Sequence, residues 1–301
     1  MEYPSKPIPI PAPNVLAKTV FSASVFTAVY YFLLDQNMFN ALSLVLVLTI
    51  HELGHFMAMK YFGYHDVQMM FMPLLGAYVS GEKEKKTEFQ RVVVSLAGPV
   101  PGIILGFLLT FVCITADLPQ LQPMANIFIF LNAFNLLPVI PLDGGRLIET
   151  LFAGSKEIIL TVFIVISILL IVFLAWALGS YILLILILTL VQRLRNIWRI
   201  KAIREDMDEK QVEYRKSYSE LSDEEFWKIR QVVENAIPAS ASGESILVSQ
   251  VKAVLQDTPV KGLGIAGKLL TVLVWLIALI LIPVMSVLLL YANNYFTGFT
   301  G

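Results

Sequence analysis

Apolar residues in this chain fall into long runs separated by short polar breaks. The runs cover residues 15–34, 38–62, 89–115, 124–140, 158–191 and 264–291. A helix crosses a bilayer core with about 20 apolar residues, so each run is expected to enter the membrane. The fifth holds about 34 residues, roughly 50 Å as one helix, which is too long to cross once. A turn near Gly179-Ser180 divides it into two spans. Residues 67–79 are apolar but interrupted by Pro73 and Gly76, and they are too short to cross. They are expected to form a β-hairpin or re-entrant loop at the membrane edge. The pattern therefore predicts an all-α polytopic membrane protein with about seven transmembrane helices, a short membrane-edge hairpin and one small cytoplasmic helical module.

The polar stretches set the divisions. Residues 1–14 carry Pro4, Pro7, Pro9, Pro11 and Pro13 and read as an extended, solvated lead-in. Residues 15–198 form a transmembrane domain. Residues 199–262 are the soluble module. In it Ser222-Asp223-Glu224-Glu225 matches a capping box that starts a helix to about Ala236, residues 238–243 make a loop, and a short helix covers 245–256. Residues 263–301 supply the last span, which contains Pro283, and a tail.

Composition supports the membrane reading, with 57% hydrophobic and 15% charged residues in 301. A net charge of -1 without a basic stripe argues against a nucleic-acid partner. Cys113 stands alone, so no internal disulfide forms, and it reads as an inert packing residue. The first run is too long for a signal peptide and lacks a clear cleavage site. With seven spans and a cytoplasmic N-terminus, all 22 Lys and Arg residues lie in or beside cytoplasmic segments. This fits a multi-pass protein of a prokaryotic plasma membrane. The basic cluster from Arg193 to Arg204 is expected to meet the cytoplasmic leaflet. Oligomeric state is not legible.

The chemistry is concentrated at His51-Glu52-Leu53-Gly54-His55, inside the second run. Histidines four apart on a helix leave the same face, which is the geometry of a bidentate zinc clamp with Glu52 beside it. Ionisable groups within a membrane helix are expensive and usually functional. His51 and His55 fall roughly 7 to 14 Å inside the cytoplasmic boundary at 1.5 Å per residue. Asp143 falls in the same half of the membrane, near the cytoplasmic end of the fourth run. His51, His55 and Asp143 then complete the three protein ligands of a catalytic zinc site. Pro138 and Pro141 break the helix ahead of Asp143, and Gly144 and Gly145 allow a tight turn behind it. A membrane metal transporter or channel using the same His and Asp ligands is the rival reading. It has no need of Glu52 and would be expected to show an inverted repeat, which is not visible.

H-E-x-x-H in one span, followed by N-x-x-P-x-x-P-L-D-G-G at residues 135–145, resembles the site-2 protease family of intramembrane zinc metalloproteases. The resemblance covers residues 38 to about 146 and implies that these form the catalytic core, 38–146, of the transmembrane domain. It implies one zinc ion held by His51, His55 and Asp143, with Glu52 as the catalytic acid/base, and a transmembrane protein segment as substrate within the lipid bilayer. Ala97-Gly98-Pro99 is similar to a further family element, although an Asn expected a few positions later is replaced by Val100, Pro101 and Gly102. Residues 72–81 are similar to the family's membrane-edge β-loop, and no PDZ or CBS domain is recognised. Asn135 is expected either to hold unwound substrate backbone or the oxyanion, or to bond carbonyls freed by the prolines. His65, past the span, reads as an ordinary interfacial histidine outside the site.

Overall fold

The computed structural model describes residues 3–7, 15–32, 37–73, 76–152, 157–177, 179, 181–236, 243–255 and 262–297. Helices dominate. They are α1 (Val15–Tyr30), α2 (Met38–Tyr61), α3 (Glu88–Ala97), α4 (Pro99–Thr115), α5 (Gln122–Asn135), α6 (Asp143–Leu151), α7 (Glu157–Ala177), α8 (Ile185–Glu209), α9 (Asp223–Ala236), α10 (Glu244–Val254), α11 (Ile265–Leu276) and α12 (Ile282–Thr297). Strands β1 (His65–Met72) and β2 (Gly76–Glu82) form one antiparallel hairpin between α2 and α3. Among the described residues four helical segments are long and apolar enough to cross a membrane: Met38–Tyr61, Glu88–Thr115, Leu160–Ala177 and Ile265–Tyr291. Leu16–Tyr30 is a shorter apolar helix.

Local chemistry explains the boundaries. The Asn40 N–H donates to the Asn37 side chain at the start of α2. A reciprocal capping box between Thr87 and Gln90 opens α3. Gly98 and Pro99 divide the third run into α3 and α4. The fifth run is also divided where expected. Helix α7 ends at Ala177, Gly179 adopts φ 63°, and a 3₁₀ turn from Tyr181 leads into α8; Ser180 lies outside the described residues. A π-helical turn, Ile277–Leu281, joins α11 to α12 just before Pro283. Pro283 has no N–H for the carbonyl four residues back, so the ladder re-registers there.

The fourth run departs from a simple span, because α5 stops at Asn135 after 14 residues. Pro138 cannot donate to Phe134, and the Leu137 N–H takes that carbonyl instead at 3.1 Å. The Val139 N–H bonds Leu137 O, the Leu142 N–H bonds Val139 O, and the Trp275 indole of α11 donates to Leu136 O at 2.8 Å. The broken segment thus crosses the interior with these carbonyls paired, as buried backbone must be. Gly144 and Gly145 do not form a turn after Asp143; they lie in the first turn of α6. Their missing side chains matter for packing, since a Cβ on Gly144 would lie 2.1 Å from Leu136 O.

Hairpin register pairs Met69 with Val79 and Phe71 with Ala77. Val67, Met69, Phe71 and Val79 pack with Phe26, Leu48 and Met59. The other edge of β1 is held by α1, where Thr19 Oγ1 donates to Met69 O and the Phe71 N–H donates to Ser22 Oγ. That contact protects an otherwise open strand edge.

Beyond the apolar helices, the C-terminal half of α8 joins α9 and α10 around a separate core that includes Ile203, Met207, Tyr218, Phe226, Ile229 and Val251. The expected Ser222/Glu225 capping box is present. Most of the anticipated loop, residues 237–242, lies outside the described residues. The basic cluster is only partly available to a lipid surface: Arg193 forms a two-pronged ion pair with Glu149, and Arg204 donates to Val254 O and Leu255 O. Residues 3–7 are extended, with Tyr3, Pro4 and Ser5 exposed, and they also bond the module. Pro9, Pro11 and Pro13 lie outside the described residues.

Candidate metal centre

One helix supplies most of the site. One turn apart on α2, His51 and His55 turn the same way, and their Nε2 atoms are 3.2 Å apart. Asp143, the first residue of α6, brings Oδ2 to 3.2 Å from His51 Nε2 and 3.1 Å from His55 Nε2. All three residues are buried. Glu52, next to His51 on α2, is buried as well. The structure therefore brings together His51, Glu52, His55 and Asp143.

Hydrogen bonds behind the rings fix their orientation and tautomer. Asn132 of α5, fully buried, donates through Nδ2 to Phe128 O at 2.7 Å, so its Oδ1 is the acceptor for the His51 Nδ1–H at 2.7 Å. His55 Nδ1 lies 2.7 Å from Val94 O of α3, which can only accept. In the neutral form that metal ligation requires, both imidazoles carry their proton on Nδ1 and turn an Nε2 lone pair towards Asp143. Neither keeps a second proton for the carboxylate. Three lone-pair donors converge in a buried space, an arrangement that a cation resolves. Their spacing also suits zinc: bonds of about 2.0–2.1 Å in a tetrahedron place ligand atoms about 3.3 Å apart. The residues present fit the metal.

Two further contacts complete the frame. Arg146, one turn along α6, approaches Asp143 Oδ1 at 3.6 Å. Gly98 allows α3 and α4 to approach α2 closely, since a Cβ there would lie 2.4 Å from His55 Nε2. This is the local reason for glycine in the Ala97-Gly98-Pro99 element. A cleft of about 500 Å³ reaches the site, lined by His55 and Asp143 and by Val79, Ser80, Lys86 and Arg91.

Asn135 is not brought to the centre by any described hydrogen bond; its Nδ2 donates to Leu131 O at 3.1 Å within α5. That carbonyl is not one that the prolines free. His65 is exposed at the start of β1. Sequence reasoning missed Asn132, although an amide within an apolar run was the available signal. Val94 and Arg146 carried no such signal.

Two buried imidazoles, a carboxylate and a neighbouring glutamate in a frame of apolar helices define a membrane metal centre of the zinc-peptidase pattern. Comparison with known proteins agrees: residues 39–119, which hold His51, Glu52 and His55, match the model of Peptidase family M50. Over 144 residues the chain is 28% identical to a zinc metalloprotease of Methanocaldococcus jannaschii, an alignment covering 46% of this chain and 39% of the relative. It is 32% identical over 130 residues to stage IV sporulation protein FB of Bacillus subtilis, covering 42% of this chain and 44% of that protein. A solved structure, the site-2 protease from Methanocaldococcus jannaschii, superposes with a TM-score of 0.41 at 22% identity, over 60% of this chain and 87% of the other. The family match and the zinc metalloprotease names among the relatives thus agree with the first of the two motifs. The chain spans less than half the length of the two curated relatives.

Proposed function

We propose that this protein is an intramembrane zinc metalloendopeptidase that hydrolyses peptide bonds within or near a transmembrane segment of a membrane-protein substrate. The observation that carries the proposal is the convergence of His51 Nε2, His55 Nε2 and Asp143 Oδ2 within 3.2 Å, with Glu52 buried beside them. These three residues would hold a zinc ion, which would supply Lewis acidity and lower the pKa of water towards about 7. Glu52 takes the proton from the attacking water on its carboxylate and passes it to the leaving amine. Asn132 Oδ1 and Val94 O hold the imidazoles in the metal-ready tautomer. Asp143 is held between the two histidines on one side and Arg146 on the other. The apolar helices exclude bulk water, which strengthens each charge interaction. Asn135, half-buried at the end of α5, would bond an unwound substrate backbone or the oxyanion only after leaving Leu131.

The reading includes a topology. Seven spans with a cytoplasmic N-terminus place the module of residues 199–262 and the metal cleft on the cytoplasmic side of a prokaryotic plasma membrane. The catalytic core is residues 38–146 within a domain of 15–198, between the N-terminal segment 1–14 and the last helix and tail, 263–301. Its separate core supports treating the module as a unit. Peptidase names among the relatives, and a buried glutamate that is not needed as a ligand, favour proteolysis over metal transport.

The test is Glu52→Gln in cells, with mass spectrometry of new N-termini in membranes. Equal zinc content with intramembrane cleavage products only in the wild type is the expected result. Identical profiles from folded, zinc-loaded proteins under several growth conditions would overturn it.

A further inference from the structure

The Pro-rich N-terminal segment and the soluble module take no part in the proposed chemistry, yet they meet in a dense set of contacts. Residues 3–7 read Tyr-Pro-Ser-Lys-Pro and form neither helix nor strand. The Trp227 indole N–H donates to Pro4 O at 2.7 Å, and the Tyr218 hydroxyl donates to Pro7 O at 2.7 Å. Between these prolines, the Lys6 N–H donates to Asp223 Oδ1 at 2.8 Å. The Lys6 ammonium enters a ring of carbonyls, from Leu221 at 2.6 Å, Tyr218 at 2.9 Å and Ser219 at 3.3 Å, and lies 5.4 Å from the centre of the Tyr218 ring.

The chemistry is selective. An extended Pro-rich segment makes no internal hydrogen bonds, so its carbonyls stay available to aromatic N–H and O–H donors. Prolines hold that shape in advance and reduce the entropy lost on docking. The carbonyl ring suits an ammonium and offers nothing to an anion. We propose that the module carries a recognition site for extended Pro-x-Lys-Pro segments, formed by Tyr218, Trp227, Asp223 and the carbonyls of residues 218, 219 and 221, with the chain's own residues 3–7 as its resident ligand.

The site has a position that matters. The same part of the module grips the end of the hairpin: Ser219 Oγ donates to Glu84, Lys85 pairs with Glu220 at 2.6 Å, and Lys252 pairs with Glu82 at 2.6 Å. A cleft of about 600 Å³ lined by Lys6, Pro7, His65, Glu82, Tyr218 and Lys252 lies between the two. Val79 and Ser80 of that hairpin line the metal cleft. The resident segment therefore lies where the module meets the hairpin. This inference does not depend on the reaction proposed above.

Hydrogen exchange on the full-length protein in detergent tests the docking, with a free synthetic peptide of residues 1–14 as reference. Docking predicts that the Lys6 amide exchanges at least about tenfold more slowly in the protein than in the peptide. Trp227→Phe and, separately, Lys6→Met should return it to within about threefold of the peptide. Lys6→Met lies in the ligand and leaves the module's core untouched. The fluorescent peptide in trans tests the ligand class. It should bind full-length Lys6→Met protein at least about tenfold more tightly than wild type, whose site is filled. A peptide carrying methionine at position 6 should not bind. A Lys6 amide that exchanges at the peptide's rate would overturn the proposal, as would protection that survives both substitutions or equal binding of the two peptides.

Discussion

Replacing Asn132 by Leu probes how much of the metal centre is built by residues that never touch the metal. Asn132 Oδ1 accepts the only proton that a neutral His51 carries, at 2.7 Å, and the residue is fully buried. Its other bond, Nδ2 to Phe128 O, goes to a helix carbonyl, so the loss falls mainly on His51. Leucine is close in volume and preserves packing while removing the acceptor. Leaving a buried donor unpaired costs about 1–3 kcal/mol. The ring can escape that cost by taking the other tautomer, but then Nε2 carries the proton and the metal-facing lone pair is lost. Either way the penalty falls on metal binding. At about 1.4 kcal/mol per tenfold, it corresponds to roughly 5- to 150-fold weaker zinc affinity, which includes the 10–100-fold typical of lost support for a ligand. Zinc competition against a chromophoric chelator, on purified protein in detergent, measures the change directly. Asn132→Asp keeps the acceptor and should stay within about threefold of wild type, since a carboxylate behind a histidine also supports a ligand. An Asn132→Leu protein that is folded and binds zinc within twofold of wild type would refute the argument.

Other predictions address the frame around the site. Gly98→Ala places a methyl 2.4 Å from His55 Nε2, and overpacking of this kind should lower stability by about 1–3 kcal/mol and reduce bound zinc, read by thermal melting and metal analysis. Trp275→Phe removes the donor to Leu136 O and should cost about 1 kcal/mol of stability, seen as a lower melting temperature. His65→Ala should leave zinc content unchanged, because that side chain is exposed on β1. The bond from Lys85, followed by those from Ser217, holds Glu220 at about 2, below its ordinary 4.5. A carboxylate with a lowered folded pKa stabilises fully above its unfolded value and loses that contribution as pH falls through the folded one. Grip between the module and the hairpin should therefore hold at pH 5 and above and weaken as pH falls from about 4.5 towards 2. Cross-linking of the two segments across that range would show it, and Lys85→Ala should flatten the profile.

Much of this protein was legible in the order of its residues. His51, Glu52 and His55 belong to one continuous helix, and helical periodicity alone puts the two imidazoles on one face. Pro138 and Pro141, three apart at the end of an apolar run, cannot both sit in the interior of a regular helix, so the break before Asp143 needed no knowledge of its neighbours. The hairpin, the split at Gly179 and the capping box at Ser222 follow from equally local chemistry. Tertiary structure decided the partners. Asn132 lies 81 residues from His51. Val94 contributes only a carbonyl, a group that every residue has, so nothing in its identity marks it as the support for His55. Asn135 sits in a conspicuous motif yet bonds its own helix, while Asn132, three positions earlier, carries the contact. Lys6 meets Asp223 across 217 positions, and no local pattern announces that pairing. Periodicity and proline chemistry act over a few residues and can be read along the chain. Orientation of a ligand ring, or docking of an extended segment, depends on how separate elements pack, and only the folded chain brings those groups together.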